Sequence, residues 1–202
     1  MIDYTQVAKL IVEEIANDKG VCFYPAGFKP PHKGHFKAAK ALADRSYITE
    51  VVVIIGKKPE DGITPEESLK IWQMYLKAEP NPEIKPRLST SGDSPVDDVF
   101  AYLKEHPNVD VVYVAGGEDE TDDQAYMDSL KEQYPNTVKT IPVQEKDGRV
   151  SSMYVRDLLK YGDYESFKET IPEAAYNKGF AKDIFKMLVK TDDQTQPASD
   201  KG

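Results

Sequence analysis

Cysteine is nearly absent: Cys22 stands alone among 202 residues, which excludes an internal disulfide framework and a multi-cysteine zinc site. The simplest setting for such a chain is a reducing, cytoplasmic one. Long hydrophobic runs are also missing. No apolar run exceeds five residues, against about 20 for a membrane-spanning helix. No basic-then-apolar start marks a secretory signal at Met1-Ile2-Asp3-Tyr4. Positive charge is in deficit, with 26 basic against 35 acidic side chains and a net charge of −9. That balance argues against nucleic-acid or anionic-membrane partners, which require broad positive surface. Enough apolar residues remain, 40% of the chain, to bury one core.

One local exception breaks the acidic balance. Residues 21–43 contain no Asp or Glu, yet hold Lys29, His32, Lys33, His35, Lys37 and Lys40. A compact cationic segment in an acidic chain suits a small anion, although a solvated basic face would read the same way.

Strands are expected at 21–24, 51–55, 84–88, 109–114 and 137–143, from short β-branched and aromatic runs. The second and fourth are apolar on both faces, as buried parallel strands are. The third carries Pro86 and reads as an edge strand. Helices fill the gaps. Thr64-Pro65-Glu66-Glu67 is a capping-box start, followed by Leu69, Trp72 and Leu76 at helical spacing. Ser94-Pro95 opens another helix, and 33–44 and 122–134 read as two more. This alternation predicts an α/β fold, a doubly wound Rossmann-like parallel five-stranded sheet with helices on both faces. A helix over 4–17 is expected as an N-terminal addition, and one or two helices over 161–190, broken near Gly179. The polar stretch 191–202 is expected to be a disordered tail.

Two segments carry chemistry. The first, Gly27-Phe28-Lys29-Pro30-Pro31-His32-Lys33-Gly34-His35, falls between strand one and the following helix. Open α/β sheets bind ligands there, and a helix N-terminus favours anions. His32 and His35 share one side of a first helical turn. Gly34 would let a phosphate approach the backbone. Metal ligation is disfavoured, because a closed site would need carboxylates that the segment lacks. The second segment is Val150-Ser151-Ser152-Met153-Tyr154-Val155-Arg156. Its serines are natural N-caps, and Gly162 is a natural stop; a merely capped helix with a surface arginine is the plainer reading.

The first segment resembles the HxGH nucleotidyltransferases, the cytidylyltransferase-like superfamily, whose first strand leads into a G-x-F-x-P-x-H-x-G-H loop. Here the glycine and phenylalanine are adjacent. The same family carries I-S-S-T-x-I-R near its C-terminal end; Val150, Ser151, Ser152, Val155 and Arg156 fill their positions, and Met153 replaces the usual threonine. The resemblance covers about residues 20–165 and is nearest to nicotinamide-nucleotide adenylyltransferase-type members. It implies a domain over 20–165, with an addition over 1–19 and a helical segment over 166–190.

The resemblance further implies transfer of a nucleoside monophosphate, AMP from ATP, to a phosphate-bearing acceptor such as nicotinamide mononucleotide, with release of pyrophosphate. His32, His35 and Arg156 would be catalytic. Gly27, Phe28, Gly34, Ser151 and Ser152 would bind the nucleotide, with Gly116 and Asp119 facing base and ribose. Mg²⁺ would bridge the phosphates, held mainly by nucleotide and water. Lys29, Lys57, Lys58 and Trp72 are candidates for the acceptor, although a tryptophan at the Trp72 spacing is more often a core residue. Relatives commonly form oligomers, which makes a homo-oligomer an open expectation. A cytidylyltransferase acting on CTP and a phosphorylated alcohol is the runner-up, and a non-catalytic nucleotide-binding domain is the alternative outside enzymes.

Overall fold

The computed structural model describes residues 19–117, 121–143 and 150–189. The expected helix over 4–17, the tail over 191–202 and Asp119 lie outside them. Five parallel strands form one sheet: β1 (Gly20–Ala26), β2 (Ile48–Ile55), β3 (Ile84–Leu88), β4 (Val112–Gly117) and β5 (Val138–Val143). Their order is β3-β2-β1-β4-β5, so the chain winds outward from β1 twice, in opposite directions. That is the doubly wound α/β arrangement.

Strand side chains alternate between two cores. Cys22, Tyr24, Val51, Val53, Ile55, Tyr113 and Ala115 point to one face. Phe23, Val52, Ile54, Val112 and Val114 point to the other. The second face is covered by α3 (Asp97–Glu105) and α4 (Thr121–Gln133) through Val99, Leu103, Met127 and Leu130. The first carries α1 (Lys33–Ala43), α2 (Pro65–Ala78) and α5 (Ser152–Lys160), followed by α6 (Tyr164–Lys168), α7 (Glu173–Asn177) and α8 (Phe180–Leu188).

The Thr64 box forms: Glu67 N–H donates to Thr64 Oγ1 and Thr64 N–H to Glu67 Oε2. Pro86 does lie on an edge strand, pairing with Val53 of β2.

Three expectations need correction. Ser94-Pro95 does not open α3. Ser94 N–H donates to Asp97 Oδ2 and Asp97 N–H to the Ser94 carbonyl, so these residues close a turn and the helix starts at Asp97. β4 starts later than 109, because Val109 N–H is drawn into a turn with the His106 carbonyl. Among the described residues, 161–189 hold three short helices rather than the one or two expected over 161–190. Pro172 separates the first pair, and Gly179, at φ 81°, begins the last. No helix among the described residues is long and apolar enough to cross a membrane.

Candidate active site

β1 is the central strand, and β4 lies on the side opposite β2. The carboxyl end of β1 therefore opens at the switch point, where such sheets bind ligands. Phe28 follows in the left-handed region, φ 52°. That conformation costs a bulky residue about 1–3 kcal/mol. Edge contacts to Tyr24, His35 and Trp72 hold it there.

His32 caps α1. Its Nδ1 accepts from Gly34 N–H at 3.1 Å, while His35 Nδ1 accepts from His32 N–H at 3.2 Å. The rings stack with centroids 3.7 Å apart. A ring nitrogen that accepts a hydrogen bond does not carry the proton, so both imidazoles are Nε2–H tautomers when neutral. Burial drives the His32 pKa down to about 4, with Lys33 adding to the shift. Burial, then His32 itself, holds His35 well below its ordinary value. Both rings are therefore neutral at pH 7. His32 Nε2 is buried and has no partner among the described residues. An unpaired buried donor costs about 1–3 kcal/mol, which an incoming anion would relieve.

Gly34 serves these rings. A Cβ there would come within 3.0 Å of His32 Cε1, so the space expected for a phosphate is occupied by imidazole. The first turn is further closed by Lys33 N–H, which donates to the Thr170 carbonyl at 2.8 Å.

The late serine pair reaches the same place. Ser151 caps α5, its Oγ accepting from Tyr154 N–H at 3.1 Å. Ser152 Oγ donates to the Pro30 carbonyl at 3.2 Å. Arg156 Nη1 donates to the Lys29 carbonyl at 2.7 Å, and its other nitrogens meet Glu60 and Asp61 at 2.7 and 2.6 Å. Together these residues line a cleft of about 280 Å³ whose walls include Gly27, Phe28, His32, His35, Ser151, Ser152 and Arg156. Buried imidazole donors at one wall and a capped helix start with a guanidinium at the other can grip one extended anion from both ends.

No protein-family model matches the chain. Over 64 residues, 31% of its length, it is 38% identical to the phosphopantetheine adenylyltransferase of Aquifex aeolicus, and the match spans 38% of that protein. Two structures of Plasmodium falciparum nicotinic acid mononucleotide adenylyltransferase, complexed with APC and with NaAD, superpose on it with TM-scores of 0.60 and 0.61. Identity in both is 16%, over 83% of this chain and 98% of theirs. The chain has the fold of the cytidylyltransferase-like nucleotidyltransferases.

Within that nucleotidyltransferase fold, the acceptor candidates take unequal positions. Lys29 lines the cleft but is itself buried, and its ammonium donates to the Gly27 and Gly56 carbonyls at 2.7 and 2.9 Å. Burial lowers its pKa to about 8, offset in part by Glu60 and Glu66. It clasps the ends of β1 and β2 together. Lys57 donates to the Gly92 carbonyl at 2.9 Å, tying the loops after β2 and β3. Lys58 is exposed and outside the cleft walls. Trp72 is fully buried beneath Phe28 and Phe36, so the core position applies and the indole is closed to a ligand. Gly116 is the penultimate residue of β4, beside Met127, and is not among the described residues that line the cleft.

Sequence reading missed Glu60 and Asp61. The signal was there in Asp61-Gly62, a dipeptide that favours a tight turn, but nothing local told which side chain that turn would meet.

Proposed function

We propose that the chain transfers AMP from ATP to a phosphate-bearing small molecule, with a pyridine mononucleotide such as nicotinamide mononucleotide as the leading acceptor. A phosphate oxygen of the acceptor attacks the α-phosphorus in line. The bond from that phosphorus to the β-phosphate bridging oxygen breaks, and pyrophosphate leaves with the electron pair. The reaction requires no nucleophilic side chain; positioning and electrostatics supply the rate. The His32 and His35 rings donate from Nε2 to oxygens near the α-phosphorus. Ser151, Ser152 and the N-terminus of α5 receive the distal phosphates, and Arg156 offsets charge on the leaving pyrophosphate.

Mg²⁺ in this reading arrives with the nucleotide. The ion would be held mainly by the nucleotide's phosphates and water. When bound, it would neutralise charge on the phosphates.

The observation that carries the proposal is the convergence of His32, His35, Ser151, Ser152 and Arg156 on one cleft from segments more than a hundred residues apart. The acceptor class is supported by the similar proteins, a nicotinic acid mononucleotide adenylyltransferase and a phosphopantetheine adenylyltransferase. The test is pyrophosphate release with ATP or CTP against nicotinamide mononucleotide, nicotinic acid mononucleotide and phosphopantetheine. Release with ATP and a pyridine mononucleotide is expected. Release with CTP alone would overturn adenylyl transfer, and nucleotide binding without any release would overturn catalysis.

A further inference from the structure

Arg156 is already occupied. The loop between β2 and α2 folds back at Glu60–Ile63, with Glu60 N–H donating to the Ile63 carbonyl at 3.1 Å and Ile63 N–H to the Glu60 carbonyl at 2.9 Å. Asp61 and Gly62, at φ 47° and 78°, are both left-handed, the signature of a two-residue type I′ turn. Buried Ile63 anchors it to the core. The turn sets Glu60 Oε1 2.7 Å from Arg156 Nη2 and Asp61 Oδ2 2.6 Å from Nε. The Lys29 carbonyl takes Nη1. All three guanidinium nitrogens are thus engaged, two of them by carboxylates.

The burial of the partners is unequal. The Arg156 side chain is 14% exposed, but those of Glu60 and Asp61 are 52% and 70% exposed. The guanidinium is fixed in the cleft wall while its two anionic partners stand in water. Wet ion pairs are weak, since solvent competes for the carboxylates. A polyphosphate reaching Arg156 therefore meets two negative charges that are already there and that can leave.

We propose that Glu60 and Asp61 are built-in competitors for Arg156: they hold the guanidinium while the cleft is empty, yield to the distal phosphates, and so set the affinity for the nucleotide. This rests on the reading of the cleft as a polyphosphate site. A purely positioning role, in which both carboxylates stay and aim Arg156, gives the opposite sign when they are neutralised.

The test titrates the full chain with inorganic tripolyphosphate in magnesium-free buffer, followed by calorimetry. Glu60→Gln with Asp61→Asn keeps acceptor oxygens on the exposed turn but removes both charges. Binding about tenfold tighter than wild type is expected, the scale of two exposed ion pairs. The same double change in an Arg156→Ala background should leave binding unaltered. Unchanged or weaker binding overturns the competition. Equal tightening without Arg156 also overturns it, since the effect would then be charge at large. If the wild type binds tripolyphosphate and the variant gains nothing, only the competition falls. If neither binds tripolyphosphate or ATP, the polyphosphate reading falls, and this inference with it.

Discussion

His32 caps a helix with a ring where an asparagine or serine ordinarily serves, and the consequence is chemical. Tying Nδ1 to the backbone leaves Nε2 as the donor, and burial keeps the ring uncharged. Its pKa falls from 6.5 to about 4, so between those values the unfolded chain binds a proton that the folded chain refuses. Stability from this group is complete above pH 6.5 and is lost as pH falls through the window. The loss approaches about 3 kcal/mol at the acid end, from about 1.4 kcal/mol per pH unit. His32→Asn retains a capping oxygen without the titration. Urea unfolding across the window should show a shallower acid loss in the variant, and an equal loss would assign the effect to other groups. His35→Ala is expected to fold with a lowered melting temperature, since the His32 N–H and the Phe28 edge lose their partner. Under conditions where the variant is fully folded, turnover should fall roughly 10²–10³-fold, the scale of one oxyanion donor. The histidine pattern was legible in the sequence because it is local. The tautomers were not, because they depend on which backbone N–H each ring caps. The partners of Arg156 were not legible either, since Asp61 lies 95 residues away along the chain.

At the level of single elements, what could be read was what neighbours in sequence decide. Thr64-Pro65-Glu66-Glu67 starts α2 because cap, proline and glutamate are all within one turn. Thr64→Ala should cost about 1 kcal/mol in urea unfolding. The loop after β3 shows the reverse case. Asp98, in the first turn of α3, is buried and accepts from Ser89 Oγ, Thr90 N–H and Oγ1, and Arg87 Nη1. Burial raises its pKa, but these hydrogen bonds prevail and hold the carboxyl below its ordinary value. Such a knot is invisible to periodicity, as its members come from a strand end, a loop and a helix. Gly92 sits within it at φ 47°, where a Cβ would fall 1.8 Å from Asp97 Oδ2. Gly92→Ala should therefore destabilise by at least about 2 kcal/mol, more than Thr64→Ala. A melting temperature for Gly92→Ala no lower than that of Thr64→Ala would show that the loop yields by moving the Asp97 side chain aside.

Across the whole molecule, the cleft depends on a part of the chain that does not line it. α6, α7 and α8 share a core with the sheet: Phe167, Ile171, Ala175, Ile184 and Leu188 lie in the same cluster as Tyr24, Phe36, Trp72 and Val155. From that packed segment the Thr170 carbonyl accepts from Lys33 N–H, bracing the first turn of the helix that carries both histidines. The βαβ alternation gave no hint of this, since Thr170 follows the last strand and lies in the turn between two short helices, α6 and α7. Phe167 is fully buried and packs edge-on against Phe185. Phe167→Ala leaves a cavity and should cost about 3–5 kcal/mol. Because the core is shared, the loss should appear as one cooperative urea transition moved to lower denaturant, read identically by circular dichroism and by Trp72 fluorescence. A variant whose helices melt early while the Trp72 signal keeps its wild-type midpoint would instead make the C-terminal helices a separate unit, and the brace on Lys33 would then have no energetic hold on the histidine helix.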